Sequence, residues 1–356
     1  MTRDQVKGKA ACLVELGKPL EMIDIEYDLP VGNGLVLVEN SFTTICGSQV
    51  GEIEGRKGKD PYLPHLLGHE SVGIVRAIGS DVYKVKEGDT VVLHWMKGSG
   101  AQVAVPSLNS SIGFVNSGSV TTFSEYSLVS ENRCTPINSD LDPMLLPLFG
   151  CSVTTAYGSL INDSQVKSGE CLLVLGLGPI GVFTLEMGKF LGLNKITGID
   201  RNEHRVNIAR KLGFHAYLDD GNEDNTFLSL LGLNNGSKLH VIDTTGNVEA
   251  INKAYEYMKL GDSLILVGVS SEGQKISIDP MPLHFGTSIK GSFGGGIYPD
   301  TEIPNLINLA ENDKFRLDVL GGEVFELMQI NEAISKFKEG SILKAVIQFN
   351  SQKNAW

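Results

Sequence analysis

The sequence of 356 residues lacks the features that mark several large classes of protein. It has no run of Lys and Arg, and its formal net charge is -12, so it offers no basic face to nucleic-acid phosphates. It has no stretch of about 18 uncharged apolar residues for a membrane span, and its first residues contain no apolar core of signal-peptide length. We therefore expect a cytoplasmic protein that binds neither nucleic acid nor membrane.

Cysteine is scarce and irregularly placed. The five cysteines are an odd, scattered set, unlike the dense and even framework of a small disulfide-rich secreted domain. We therefore expect reduced thiols that are able to bind metal. Cys12, Cys134 and Cys171 each lie in or beside a strand-like run, and we predict that these three pack in the core.

The composition and the order of apolar runs predict two globular domains. Hydrophobic residues make up 42% and charged residues 20%, enough to bury a large core. Residues 1–152 read as short strands broken by Gly and Pro, which is typical of a β-rich, barrel-like domain. Residues 153–292 alternate strands with helical stretches, which indicates βαβ units and a parallel sheet. In residues 293–356 a helix from Ile303 to Glu311 and a final strand are expected to return to the first domain.

A glycine-rich turn stands at the start of the second domain. The hexapeptide GLGPIG follows an apolar strand directly and opens a helix, which is the context that a dinucleotide-binding G-x-G-x-x-G requires. Its glycines allow a tight turn, a close approach of the pyrophosphate, and close packing of the helix on the strand. The helix N-terminus offers amide groups to the phosphates. The predicted cofactor-binding residues here are Gly176, Gly178, Pro179, Ile180 and Gly181.

Asp200 ends the second strand of this domain, where a carboxylate accepts hydrogen bonds from the adenosine ribose hydroxyls of NAD. An acid at this place repels the 2'-phosphate of NADP. Arg201 follows immediately, and an arginine here is able to accommodate that phosphate. We therefore predict NAD as the cofactor and leave NADP open.

Cys46, His69 and Cys151 have the chemistry of a catalytic zinc site. Two thiolates and one imidazole leave the fourth tetrahedral position open for substrate. Their separations along the chain are long, so spacing alone does not nominate this trio.

The order of motifs resembles the medium-chain, zinc-dependent alcohol dehydrogenase family over essentially the whole chain. The motifs are CGS at Cys46, GHE at His69, GC-V-TT at Cys151, and then the glycine turn and the acid-ended strand. The resemblance implies a GroES-like barrel domain beside a Rossmann doubly wound parallel sheet, with the trio as the zinc ligands. It implies that Glu70 is a carboxylate near the metal and that Ser48 takes the substrate proton.

The resemblance also extends to the cofactor. It implies that Thr155 packs against the nicotinamide, that Arg205 approaches the adenosine ribose, and that Lys344 reaches the pyrophosphate. Val269 is placed among the cofactor-binding residues on the same ground.

Three departures from the family pattern stand out. Gln49 replaces an acid that helps to orient the histidine ligand, so the zinc has a more positive surrounding. Gly51 replaces a histidine that ends the proton relay. The structural zinc lobe with four close cysteines is absent, because residues 91–130 contain no cysteine. We therefore predict one zinc, and we interpret the polar segment 94–120 as a loop facing substrate, a partner subunit or only solvent.

Together these features predict a zinc-dependent oxidoreductase that transfers a hydride between NAD(H) and an alcohol or carbonyl, with a polyol, sugar or other hydroxylated metabolite favoured as substrate. One alternative is a zinc-free quinone or alkene reductase of the same superfamily. The other is a non-catalytic NAD-binding protein. The resemblance further implies a homodimer or homotetramer formed through the cofactor domain, with the strands near 263–269 and 289–295 as candidate contacts.

Overall fold

The computed structural model describes residues 4–219, 221 and 236–349. Its strands are β1 Gln5–Leu13, β2 Glu21–Asp28, β3 Leu35–Thr44, β4 His65–Leu66, β5 Glu70–Ile78, β6 Thr90–His94, β7 Leu108–Ser110, β8 Gly113–Val115, β9 Tyr126–Ser130, β10 Cys134–Pro136, β11 Cys171–Leu175, β12 Asn194–Asp200, β13 His215–Leu218, β14 Leu239–Asp243, β15 Ser263–Leu266, β16 Ser288–Gly291, β17 Glu323–Glu326 and β18 Ala345–Gln348. The helices are α1 Gly47–Ile53, α2 Ser152–Gly158, α3 Pro179–Phe190, α4 Glu203–Lys211, α5 Val248–Glu256, α6 Pro299–Glu311 and α7 Ile330–Glu339.

The described chain divides into two compact units. The first contains residues up to 151 together with residues 298–312 and those from 321 onward, and the second contains residues 152–297 and 313–320. None of the described helices is both long and apolar enough to cross a membrane.

The first unit is built from two β-sheets. One has the strand order β4-β1-β2-β7-β8, and the other has the order β10-β6-β5-β3-β18-β17, with β9 also paired to β3. All ten residues of β3 are buried, because this strand is paired with β5, β9 and β18. Its last residues lead directly into α1. An apolar core that includes Val50 and Ile53 of α1 and Ile330 and Phe337 of α7 holds this short helix in place.

The second unit contains one six-stranded sheet with the order β13-β12-β11-β14-β15-β16, and every neighbouring pair is parallel. The central strands β11 and β14 are buried at every residue, which accounts for the continuous apolar sequence of β11. The topology confirms the βαβ interpretation of the alternating pattern. Cys12, Cys134 and Cys171 are buried in β1, β10 and β11, which confirms the prediction that they pack in the core.

Two details of the sequence interpretation are wrong. Helix α6 begins at Pro299, one turn before the predicted start at Ile303, because Pro299 occupies its first position and two acidic residues follow in the first turn. The segment 94–120 is not an uninterrupted loop, since β7 and β8 pair within it and extend the first sheet.

Candidate active site

Cys46, His69 and Cys151 come together in the first unit although they are far apart in the sequence. Their two sulfur atoms and one ring nitrogen lie within 4.8 Å of one another. A tetrahedral zinc, with bonds of about 2.3 Å to sulfur and about 2.1 Å to nitrogen, holds such atoms roughly 3.5–3.8 Å apart. The donor types and their spacing therefore fit a zinc ion.

The local backbone structure positions each member of the trio. Cys46 caps the N-terminus of α1, and Cys151 ends a 3-10 helix at Leu146–Gly150. His69 follows Gly68, whose φ is +96° and where a Cβ would lie only 2.4 Å from Thr122 Oγ1 and 2.6 Å from Thr122 N. Only glycine fits there, so the glycine of the GHE motif is what brings the histidine to the cysteines.

The electrostatics of the trio also favour a cation. The pKa of Cys46 is held well below its usual value by a hydrogen bond from Cys151 and by His69, whereas the pKa of Cys151 is raised well above its usual value by Cys46 and by burial. His69 Nε2 is buried and has no hydrogen-bond partner among the described residues. A divalent metal ion bound to both sulfur atoms would favour the thiolate form of each cysteine and would also satisfy the imidazole nitrogen.

Glu70 follows the histidine and is fully buried. Its Oε1 accepts a hydrogen bond from Lys344 Nζ at 2.8 Å and another from the Thr44 hydroxyl, while Oε2 is buried without a partner. A buried ion pair therefore lies one residue from the trio. Lys344 was expected at the pyrophosphate; the structure places its ammonium on Glu70, and the phosphate contact stays a prediction. Thr44 was not among the predicted site residues, and its position at the end of β3 was the only sign of its role.

Gln49 and Ser48 lie in the first turn of α1. The Gln49 Oε1 atom accepts a hydrogen bond from the main-chain N–H of Cys46 at 2.8 Å, and its Nε2 is buried without a partner. Gln49 thus stabilises the turn that carries Cys46, and no described hydrogen bond links it to His69. Ser48 is half-buried two residues after Cys46. Gly51 is buried, and a Cβ there would meet only the side chain of Arg56, at 3.8 Å.

A second group of potential ligands in the first unit differs from the trio. Glu52, Asp60 and His65 also bring ligand atoms within 4.8 Å of one another. Here His65 Nε2 lies 2.8 Å from Asp60 Oδ2, and Lys57 Nζ lies 2.9 Å from Glu52 Oε2. Asp60 and Glu52 therefore already have partners in the protein, whereas His69 Nε2 has no hydrogen-bond partner among the described residues.

The glycine-rich loop lies in the second unit, between β11 and α3. Gly176 has a φ of +89°, and a Cβ at Gly181 would lie 1.9 Å from the carbonyl oxygen of Gly176. The turn therefore closes only with glycine at both places. Gly178 caps α3 and Pro179 occupies the first helical position, so the helix N-terminus, which suits phosphate binding, begins at this turn.

Asp200 lies at the end of β12, beside this loop. Its Oδ2 accepts a hydrogen bond from Leu177 N at 2.7 Å, and its Oδ1 accepts one from Asn202 N at 2.8 Å. Arg205 Nη1 lies 3.7 Å from Asp200 Oδ2 and 4.0 Å from a Cβ position at Gly178, and its Nε is buried without a partner. The second unit thus holds an acid and a cation at the glycine loop.

The other predicted cofactor residues also lie in the second unit. Arg201 is paired with Asp219 at 3.7 Å and with Glu249 at 3.3 Å. Thr155 is buried in α2. Val269 follows β15 and is 69% exposed.

Comparisons with known proteins agree with this arrangement. A family model described as the alcohol dehydrogenase GroES-like domain matches residues 32–139, and one described as zinc-binding dehydrogenase matches residues 179–312. The chain is 28% identical to the S-(hydroxymethyl)glutathione dehydrogenase of Haemophilus influenzae, over 97% of this chain and 98% of that protein. The benzyl alcohol dehydrogenase of Acinetobacter calcoaceticus superposes with a TM-score of 0.85 at 24% identity, over 97% of this chain and 99% of that one. The alcohol dehydrogenase zinc-binding domain protein from Burkholderia ambifaria gives a TM-score of 0.87 at 23% identity, with the same coverage.

A β-rich unit with a Cys2His group and a parallel-sheet unit with a dinucleotide loop define a nicotinamide-linked dehydrogenase. The chain belongs to the medium-chain, zinc-dependent alcohol dehydrogenase family. It is an NAD-linked oxidoreductase, and its family implies zinc, NAD(H) and a small alcohol or carbonyl substrate. The predictions of family, of fold class and of a zinc-dependent dehydrogenase are confirmed.

Proposed function

We propose that Cys46, His69 and Cys151 bind one catalytic zinc and that the chain has no structural zinc. The observation that carries this proposal is the buried His69 Nε2, which has no hydrogen-bond partner among the described residues and belongs to a group whose ligand atoms lie within 4.8 Å of one another. When bound, zinc supplies a Lewis acid for the substrate oxygen, and nicotinamide supplies the hydride acceptor.

The protein side chains then handle the proton and the local charge. Ser48, two residues after Cys46, takes the proton of the substrate hydroxyl and passes it outward. Because Gly51, three residues after Ser48, stands in place of a histidine, that proton leaves through solvent. Glu70, balanced by Lys344, adds a polar group without a net charge beside the ligands. Thr155 packs against the nicotinamide.

Elemental analysis together with two cysteine variants tests the metal assignment. We expect about one zinc per chain in the wild-type protein, and loss of zinc and turnover in Cys46→Ala with NAD binding retained. Cys12→Ala is the matched control, because Cys12 is a buried thiol of the same unit outside the trio. Full activity of Cys46→Ala after treatment with chelator, or two zinc ions per wild-type chain, would overturn the proposal.

We propose NAD as the preferred cofactor. Asp200 is held at the glycine loop by two main-chain N–H groups, and the guanidinium of Arg201 is already paired with Asp219 and Glu249. An extra phosphate on the ribose would face the Asp200 carboxylate. The measurement is kcat/KM with each cofactor; Asp200→Ala should reduce the preference for NAD, and an unchanged preference would contradict this role.

The substrate that we propose is a hydroxylated metabolite, such as a polyol or sugar. The relatives act on S-(hydroxymethyl)glutathione and benzyl alcohol by name, and these compounds define the competing outcomes. A panel of polyols, sugars, benzyl alcohol and S-(hydroxymethyl)glutathione, followed by the absorbance of reduced nicotinamide, separates them. The highest kcat/KM for benzyl alcohol or the glutathione adduct would refute the polyol proposal.

We propose that the first unit is the catalytic domain and that the second is the cofactor domain. We also propose that the protein is a homo-oligomer and that it is located in the reducing cytoplasm. Strand β16 is the better of the two candidate contacts, since β15 is hydrogen-bonded on both sides while β16 ends the described sheet. Phe285 and Met281, just before β16, are 60% and 59% exposed. A second copy that adds its own β16 would extend the sheet and cover these side chains. A monomer by light scattering would contradict this assembly.

A further inference from the structure

Residues 95–101, here called the anchored segment, leave β6 beside the proposed metal site. Strands β5 and β6 are antiparallel, with Glu70 opposite His94. His69 directly precedes Glu70 and Trp95 directly follows His94, so the segment begins next to a proposed metal ligand. The position of the anchored segment therefore affects the surroundings of a proposed metal ligand, His69.

The anchored segment contains no regular helix or strand, yet side chains hold its main chain at both ends and in the middle. At its start, the Trp95 carbonyl accepts a hydrogen bond from Arg133 and the Met96 carbonyl lies 2.8 Å from His94 Nδ1. At its end, Ala101 N donates to Glu131 Oε2 at 2.7 Å. Glu131 also accepts from the main chain of residues 83 and 84, so one carboxylate ties two loops together.

Asp300 holds the middle of the segment through hydrogen bonds. It lies in the first turn of α6 and accepts hydrogen bonds from Ser99 N at 2.5 Å, Lys84 Nζ at 2.8 Å and Thr135 Oγ1 at 3.0 Å. Lys84 Nζ in turn donates to the Ser99 carbonyl at 3.0 Å. The main-chain N–H and C=O of Ser99 are therefore both held by one ion pair.

The fit around Asp300 is close. A Cβ at Gly98 would lie 2.7 Å from the Asp300 Oδ2 atom, so the segment packs directly on the carboxylate. Thr135 Oγ1 also lies 2.9 Å from His94 Nε2, which links Asp300 to the last residue of β6. The carboxylate thus contacts the segment directly and supports the strand from which it emerges.

We propose that Asp300 is a positioning residue for the dehydrogenase: it holds the anchored segment in place, and with it Trp95, next to the proposed metal site. The proposal rests on the metal site proposed above. Burial raises the pKa of Asp300, but Lys84 and Ser99 outweigh it and bring the pKa to about 2, so the carboxylate is charged under all working conditions.

Tryptophan fluorescence tests the proposal directly, since the chain has only two tryptophans, Trp95 and Trp356. In a Trp356→Phe background, Trp95 alone emits. Asp300→Asn keeps the size of the side chain but removes its charge and one acceptor. Glu302→Gln is the matched control, because Glu302 lies in the same first turn of α6 and its described hydrogen bond goes to Tyr298 instead of the segment.

We expect Asp300→Asn to increase acrylamide quenching of Trp95 and to lower kcat/KM by about tenfold, with an altered ratio between a bulky and a small alcohol, since small misplacements near the reacting atoms are costly. Zinc content and the Kd for NAD should not change, and Glu302→Gln should match the wild type in every measurement. Unchanged quenching and an unchanged substrate ratio in folded Asp300→Asn would overturn the proposal.

A second variant keeps the test decisive if Asp300→Asn does not fold. Lys84→Met leaves the carboxylate in place but removes the bonds of Lys84 Nζ to Asp300 and to the Ser99 carbonyl, and the same change in quenching is expected. Wild-type quenching in Lys84→Met would count against the proposal. Failure of the metal site itself would show instead as absent zinc in the wild-type protein, while the fluorescence result would stand on its own.

Discussion

The ion pair between Lys344 and Glu70 gives the sharpest stability prediction. The two residues are 1% and 0% exposed, and their charged atoms are 2.8 Å apart. Lys344→Met leaves the Glu70 carboxylate buried with only the Thr44 hydroxyl as a donor. Removing one partner of such a pair typically costs about 3–5 kcal/mol, because the remaining charge stays desolvated. We expect a loss of this size in the free energy of unfolding of the zinc-loaded enzyme, measured by urea denaturation at neutral pH.

A double variant and a surface control complete this test. Adding Glu70→Gln to Lys344→Met removes the stranded charge and should restore most of the lost stability. Lys7→Met breaks a pair with Glu26 of nearly the same length, 2.7 Å, but on an exposed side chain, so little change is expected. If Lys344→Met unfolds at the same urea concentration as the wild type, the argument that Glu70 depends on Lys344 is wrong.

Three further predictions concern the site and its surroundings. Gly68→Ala should cost most of the bound zinc, measured by elemental analysis, because its Cβ would overlap Thr122; retained zinc would contradict the role of this glycine. Gly51→His should add an inflection near a pKa of about 6.5 to the pH profile of kcat, as a restored proton relay would, and an unaltered profile would show that position 51 lies off the path of the proton. Burial lowers the pKa of His94 to about 4, so the unfolded chain binds its proton first as pH falls. Stability should therefore drop by roughly 3 kcal/mol between pH 6.5 and 4, and His94→Gln should flatten this fall in urea titrations whereas the exposed His284→Gln should not.

The parts of the fold that follow from local patterns were predictable. Apolar runs alternating with helical stretches indicated the parallel sheet, and the glycine turn marked the start of α3. The β7–β8 hairpin was not foreseen, because each strand is only three residues long and shows no clear strand pattern, and the pairing of β7 with β2 stabilises the hairpin more than its own sequence does. The early start of α6 was obscured by Pro304 inside the helix.

The candidate site was predictable only in part, for a physical reason. The trio was named through a family resemblance, since ligands on separate loops leave no periodic signal. The partners around it are set by pairing between distant strands. Asp300, for example, lies about two hundred positions from Ser99. Nothing in either local sequence indicates that the Asp300 carboxylate accepts a hydrogen bond from the Ser99 main chain.

The strand order of the first unit also determines when, during translation, the metal site can be completed. Strand β18 pairs with β3 just before Cys46, and Lys344 stands immediately ahead of β18, so these residues are synthesised after the whole six-stranded sheet of the second unit. In a growing chain the cysteines and Glu70 are therefore present long before β18, which pairs with β3, and before Lys344, which pairs with Glu70. Metal loading during translation would meet an unfinished site, and a chain released early would carry its thiols exposed to oxidation or to the wrong ion.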